Sequence, residues 1–311
     1  MKFIYIQDIH IQGKNSRSRK GDYYSDIMTK LNEIFEVAKK LNIKTIISGG
    51  DTFNSPIVSY KIIDDFADKL EHNEISWHEV EGNHTEIGNN PETSQTNVTN
   101  HLIKRCEKFN HLDKIEIDKF LIKGYDYYHG IEKDIKERGL MTDSKSEWKI
   151  AVIHAFITAN KFLDKVLHAQ IKDIETNYDV VLVAHNHQGF GAKRVGKTKF
   201  INIGCFGRTS INEKDIKPSL LIIDTESHII DRYVLKSAKA GDEVFNVEEY
   251  NELKASEEDL EQLIASLKDA RFQGINLRDI IEKVCEEREI GDDIRQDIIN
   301  KISNHERESD E

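Results

Sequence analysis

Three short apolar runs, 2–6, 44–48 and 75–80, alternate with two stretches of helical periodicity, and each run ends in small and polar residues. The first leads into Asp8-Ile9-His10, the second into Gly49-Gly50-Asp51 and the third into Gly82-Asn83-His84. Between them Ile27, Leu31, Ile34, Phe35, Ala38 and Leu41 share one helical face, and Ile62, Ile63, Phe66 and Leu70 share another. A β-α-β-α-β order makes the strands parallel, because a helical crossover returns the chain to start each strand at the same end. Parallel strands bring their carboxyl ends to one rim, where open α/β sheets place their functional groups.

The pattern continues. Residues 114–123, Trp148–His154, 179–184 and 199–203 read as further strands, and Ser219–Asp224 with 228–235 as a closing antiparallel pair turning at Thr225-Glu226-Ser227. The fold class expected is α/β in four layers, a two-sheet β-sandwich flanked by helices, over residues 1–238. From there to 303 no strand pattern is evident, and 259–267, 277–285 and 294–302 carry apolar residues at helical spacing on a charged background. Residues 239–303 therefore read as an acidic helical C-terminal extension, and 304–311 as a disordered tail. Charge divides the same way. From Gly241 onward 9 Lys and Arg face 22 Asp and Glu, so the net charge of −12 belongs to the tail and the first 240 residues are close to neutral. An acidic average thus does not exclude a nucleic-acid substrate.

Seven polar residues at or after the strand ends have the chemistry of metal ligands: Asp8, His10, Asp51, Asn83, His154, His185 and His187. Carboxylate and amide oxygens mixed with imidazoles suit two Mn²⁺, Fe²⁺ or Zn²⁺ ions better than a thiolate zinc site. Cys106, Cys205 and Cys285 are scattered and odd in number, which fits a reducing compartment and small semi-buried residues. Two like charges held close together need a bridging carboxylate, and Asp51 is placed for it, with Gly49 and Gly50 allowing a sharp turn. Asn83 supplies a neutral oxygen. His185 and His187, one residue apart, face the same way on an extended segment. Each pair alone is common by chance; in this order, each after a strand, they point to a two-metal hydrolase.

The same residues resemble the motif set of the calcineurin-like metallophosphoesterases. That pattern is Asp-x-His, Gly-Asp, Gly-Asn-His followed by an acidic residue, a later His, and Gly-His-x-His. Here it reads Asp8-Ile9-His10, Gly50-Asp51, Gly82-Asn83-His84-Thr85, His154 and Ala184-His185-Asn186-His187, over roughly residues 1 to 235. Thr85 and Ala184 depart from it, and with Thr85 in the acidic position any partner orienting His84 must come from elsewhere. The resemblance implies that Asp8, His10, Asp51 and His187 hold one metal, and that Asp51, Asn83, His154 and His185 hold the other. The ions would neutralise phosphate oxygens and lower the pKa of a water, while His84 stabilises the developing charge and protonates the leaving oxygen.

Within that family the first half is most similar to the SbcD-like exonuclease subunits of double-strand-break repair and phage recombination. The residues that carry this are Asp8-Ile9-His10-Ile11, the loop with Arg19 and Asp22, Gly50-Asp51-Thr52-Phe53-Asn54 and Ser55-Pro56. The resemblance implies a Mn²⁺-dependent DNA exonuclease or endonuclease. Lys14, Arg17, Arg19 and Lys20 are candidate contacts to a DNA backbone, with a solvated loop as the alternative. Tyr125, Tyr127 and Tyr128 are candidates for base stacking, with packing as the alternative. The implied partners are DNA, an SbcC-like coiled-coil ATPase held through the C-terminal helices and, as a possibility, a second copy of the chain. Two other functions remain open: a phosphodiesterase or phosphatase for small molecules or phosphoproteins, and a non-catalytic scaffold. No run approaches the roughly 20 apolar residues of a membrane span and the start resembles no signal peptide, so the expected location is cytoplasmic.

Overall fold

The computed structural model describes residues 1–16, 19–85, 97–163 and 165–251. The chain divides into two compact units, Met1–Asn246 and Val247–Glu311. Expectations for the helices beyond 251, for the 304–311 tail and for Cys285 lie outside the described residues.

The first sheet contains β1 (Lys2–Ile6), β2 (Thr45–Ser48), β3 (Ser76–Glu79) and β4 (Phe109–His111), all parallel. Helix α1 (Tyr23–Lys40) joins β1 to β2, α2 (Tyr60–His72) joins β2 to β3, and α3 (Val98–Arg105) precedes β4. The second sheet is built from β5 (Lys114–Ile117), β6 (Phe120–Tyr125) and, after α4 (Ile131–Arg138), β7 (Trp148–His154). A small parallel pair, β8 (Ile157–Thr158) and β9 (Ala169–Gln170), leads into β10 (Val180–Ala184), β11 (Gly191–Val195) and β12 (Thr198–Asn202). The chain then returns to the first sheet as β13 (Ser219–Asp224) and β14 (Ile229–Val234). The sheet orders are β14-β13-β1-β2-β3-β4 and β11-β12-β10-β7-β6-β5, both mixed.

Alternation along the strands fills the layers. Phe3 and Tyr5 of β1 join Ile150 and Val152 of β7 and Val180 and Leu182 of β10 in the core between the sheets. Their neighbours point the other way: Ile4 and Ile6 pack under the helices of the first sheet, and Ala151, Ile153, Val181 and Val183 under α4 on the second. Because both faces are covered, the inner strands read as unbroken apolar runs. Each fully buried Ile, Val or Leu contributes about 1.5–3 kcal/mol.

Two readings change. The single strand expected at 114–123 is a hairpin, with Ile117 opposite Phe120 and Asp118 at φ +53° in the two-residue turn. Leu41 is not on the buried face of α1; it caps the helix and is 41% exposed. The stretch that follows β14 remains part of the first unit. Val244 and Phe245 are buried, Lys20 donates its backbone N–H to the Val244 carbonyl, and Arg208 donates from Nη2 to the Lys239 carbonyl at 2.7 Å.

Candidate metal centre

All seven predicted ligands lie at the carboxyl ends of β1, β2, β3, β7 and β10, so both sheets contribute to one rim. Asp8, His10 and His187 form one group of donors and Asp51, His154 and His185 another, the ligand atoms of each lying within 4.8 Å of one another. Asn83 joins the second group, its Oδ1 3.1 Å from His154 Nε2. A further group of His10, Asp51 and His84 places Asp51 between the two sets.

The backbone there is unusual. Asp8, His10, Asp51 and His185 have φ of +50°, +56°, +55° and +77°, in the left-handed region. Such a conformation costs about 1–3 kcal/mol per residue and persists only when its surroundings enforce it. The β1 and β2 loops do so by pairing: Asp8 N–H bonds the Gly50 carbonyl at 3.2 Å, His10 N–H the Asp51 carbonyl at 2.9 Å, and Ile11 N–H the Thr52 carbonyl at 2.8 Å. Gly82 serves close approach instead. A Cβ there would lie 2.1 Å from Asp51 Oδ1, so only glycine lets the Asn83-His84 turn sit against that carboxylate.

Three imidazoles are oriented from behind. His154 Nδ1 donates to the Gly49 carbonyl at 2.8 Å, His187 Nδ1 to Glu213 Oε1 at 2.6 Å, and His84 Nδ1 to the Asn54 carbonyl at 2.9 Å. Because these partners only accept, each Nδ1 carries the proton and Nε2 is left for the site. The partner that Thr85 does not supply is therefore a backbone oxygen. Glu213 is itself fixed, accepting the Thr209 and Ser210 N–H groups on Oε2. Sequence reading missed Glu213. Its capping box with Ser210 is recognisable, but its approach to His187 arises only from the fold.

The donor set fits two divalent cations. Asp51 Oδ2 and His10 Nδ1 are buried with no hydrogen-bond partner among the described residues. Nε2 of His10 lies 2.9 Å from Nε2 of His187, and Nε2 of His154 lies 3.3 Å from Asp51 Oδ2. Such converging lone pairs are costly in a buried site unless a cation or proton lies between them. Burial pushes His10 and His185 down to about 3, keeping both neutral as ligands must be. For His154 burial also lowers the pKa, but the Asp51 carboxylate outweighs it and raises it to about 9. Burial pushes the Cys205 thiol well up, so this buried neighbour of His187 and Glu213 stays protonated.

The predicted DNA contacts do not gather at this rim as a set. Lys14 is exposed, Lys20 Nζ bonds the Asp242 carbonyl at 3.0 Å, and Arg17 lies outside the described residues. Arg19 is a correction. Its buried guanidinium stacks on Tyr23, donates to the Arg208 carbonyl at 2.8 Å and pairs with Asp26 at 3.1 Å, so it braces the fold and cannot reach a DNA backbone. Tyr127 packs 5.6 Å from the His185 ring, while Tyr125 bonds Tyr178 and Tyr128 bonds Asp134. A cavity of about 560 Å³ opens beside His84, His185 and His187.

A four-layer sandwich that delivers carboxylates, an amide and imidazoles from both sheets to one rim has the architecture of a dinuclear metallohydrolase. The chain belongs to the calcineurin-like phosphoesterases, whose family model matches residues 1–189. Members use a dinuclear metal centre to hydrolyse phosphoesters, and metal-dependent phosphoester hydrolysis is accordingly the activity of this fold and site. Among solved structures, a dimetal phosphatase from Danio rerio is 11% identical, with 77% of this chain and 97% of that one covered at a TM-score of 0.49. The TT1561 protein of Thermus thermophilus is 10% identical, with 75% and 98% covered at 0.43. No curated protein sequence matches the chain. Among the described residues no helix is long and apolar enough to cross a membrane.

If Glu213 orients His187, Glu213→Ala should weaken metal binding about 10- to 100-fold while leaving the circular dichroism spectrum unchanged. Calorimetric titration with Mn²⁺ measures this, and an unchanged affinity would remove Glu213 from the site.

Proposed function

We propose that the chain is a Mn²⁺-dependent DNA nuclease, exo- or endonucleolytic, of the SbcD type. The observation that carries this reading is the setting of His84. The stretch Gly50-Asp51-Thr52-Phe53-Asn54, through which the chain resembles those nucleases, is the stretch whose last carbonyl orients the His84 ring. Phe53 anchors it, fully buried and edge-on to Phe66 at 5.6 Å.

In this reading Asp8, His10, Asp51 and His187 hold one ion, and Asp51, Asn83, His154 and His185 the other. When bound, the ions supply positive charge to the phosphate oxygens and a water of lowered pKa. His84, with Nδ1–H held on the Asn54 carbonyl, acts as the imidazolium: its second proton, on Nε2, passes to the departing oxygen and leaves the ring neutral. Gly49 and Glu213 hold His154 and His187 against rotation. The intact ligand set, with His84 in place, speaks against a non-catalytic scaffold.

The proposed partners are DNA and an SbcC-like coiled-coil ATPase held through 239–303, with a second copy of the chain as a further candidate. A small phosphodiester or phosphomonoester is the second reading, and the cavity favours it, since its volume is typical of small-molecule sites. Incubating the purified chain with linear DNA and Mn²⁺, Mg²⁺ or Zn²⁺ separates the two. Degradation, strongest with Mn²⁺, is expected. Hydrolysis of a chromogenic diester with no action on DNA would overturn the nuclease reading.

A further inference from the structure

We infer that the cavity beside His84 is a nucleobase subsite, in which Phe162 stacks on an unpaired base next to the scissile phosphate. This rests on the nuclease reading above and narrows its substrate to frayed or single-stranded DNA.

Position comes first. The cavity is lined by His84, His185 and His187, so a group attached to a phosphate at the metal centre enters it. Its remaining walls are aromatic and amide. Phe156 packs edge-on to His185 at 5.7 Å and to Phe162 at 5.2 Å, and Phe190 adds a third ring to the lining. Asn186 and Gln188 also line it. Each spends its amide N–H on a backbone carbonyl, Asn186 on Ile157 at 3.2 Å and Gln188 on Asn212 at 3.1 Å. Those bonds hold the side chains in place and leave their carbonyl oxygens as acceptors for the N–H groups of a base edge, the N3–H of thymine included. Flat apolar faces with fixed edge acceptors suit a nucleobase, which presents one π face and a hydrogen-bonding edge.

Exposure points the same way. Of the twelve large hydrophobic residues exposed among the described residues, four fall between 162 and 167: Phe162, Leu163, Val166 and Leu167. Phe162 is 42% exposed at the cavity mouth. Of these four Phe162 lines the cavity, and a large ring left exposed beside a reactive site marks a surface that a ligand covers. A base within a duplex is stacked on both faces and paired along its edge, so only an unpaired base can use these walls.

The test uses the full chain with Mn²⁺ and three chromogenic diesters: the 5′- and 3′-p-nitrophenyl phosphates of thymidine, and methyl p-nitrophenyl phosphate, which has no base. Wild type should prefer at least one thymidine ester by about tenfold or more in kcat/KM, the scale of one aromatic–base stack. Phe162→Ala should reduce that preference to within about threefold, and Phe162→Trp, which keeps a ring, should retain it. A preference that survives in Phe162→Ala, or that is absent in wild type, overturns the subsite. Linear DNA in parallel separates the two levels. Base preference without DNA degradation sinks the nuclease reading and keeps the subsite, and degradation without base preference does the reverse.

Discussion

Asp51→Ala is expected to abolish metal retention and hydrolysis together. Of the seven candidate ligands only Asp8 and Asp51 are carboxylates, so the substitution removes half the anionic charge that would face two dications. It also removes the one carboxylate placed between both donor groups, near His10 and His84 on one side and His154 and His185 on the other. The Asp51 carboxylate is fixed in that place, with Oδ1 accepting the His84 N–H at 3.0 Å and the Gly82 backbone closing in behind it. The activity loss should therefore exceed the roughly 100-fold upper range for a residue that only orients a ligand. Two measurements check this: metal content after desalting, and the rise in melting temperature on adding Mn²⁺, which stabilises only a fold that binds it. A variant that still retains two ions per chain would refute Asp51 as the bridge.

His84→Ala should separate the two properties that Asp51→Ala loses together. Nδ1 of His84 is committed to the Asn54 carbonyl, and its ring lies edge-on to His10 at 4.7 Å, bordering the ligands. Metal content should stay within about twofold of wild type, whereas kcat on DNA should fall by about 10²- to 10⁴-fold, the range for loss of a general acid. The fall should be much smaller for a p-nitrophenyl diester, because p-nitrophenolate departs without help from a proton. Equal losses on both substrates would reject the acid role, and metal loss as deep as in Asp51→Ala would make His84 a ligand.

Much of this centre was readable because the fold places chain order and spatial order in register. Each ligand follows a buried strand, each inner strand is an apolar run, and parallel strands carry their ends to the same rim, so Asp8, Asp51, Asn83, His154 and His185 could be gathered from spacing alone. What escaped depends on meetings between distant segments. Glu213 reaches His187 only because β13 returns the chain to the first sheet beyond the motif blocks. The partner of His84 is the Asn54 carbonyl, and side-chain patterns do not register backbone groups. Arg19 looks solvent-facing in a polar loop, yet the Tyr23 ring, the Arg208 carbonyl and Phe245 surround it. Helix α4 was also missed; its cue was the pair Gly130 and Gly139, at φ +96° and +71°, which bracket it.

The left-handed backbone at Asp8, His10, Asp51 and His185 limits how this site can change over evolutionary time. Asp, Asn, His and Gly tolerate that conformation, whereas β-branched residues are genuine outliers there. The set of residues acceptable at these four positions is thus narrowed by the backbone before any metal chemistry applies. A lineage drifting away from catalysis would be expected to pass through Asn or Gly at them long before Val, Ile or Thr. The loss of the reaction would then leave the fold intact, recorded as a quiet change of amide for acid at the rim.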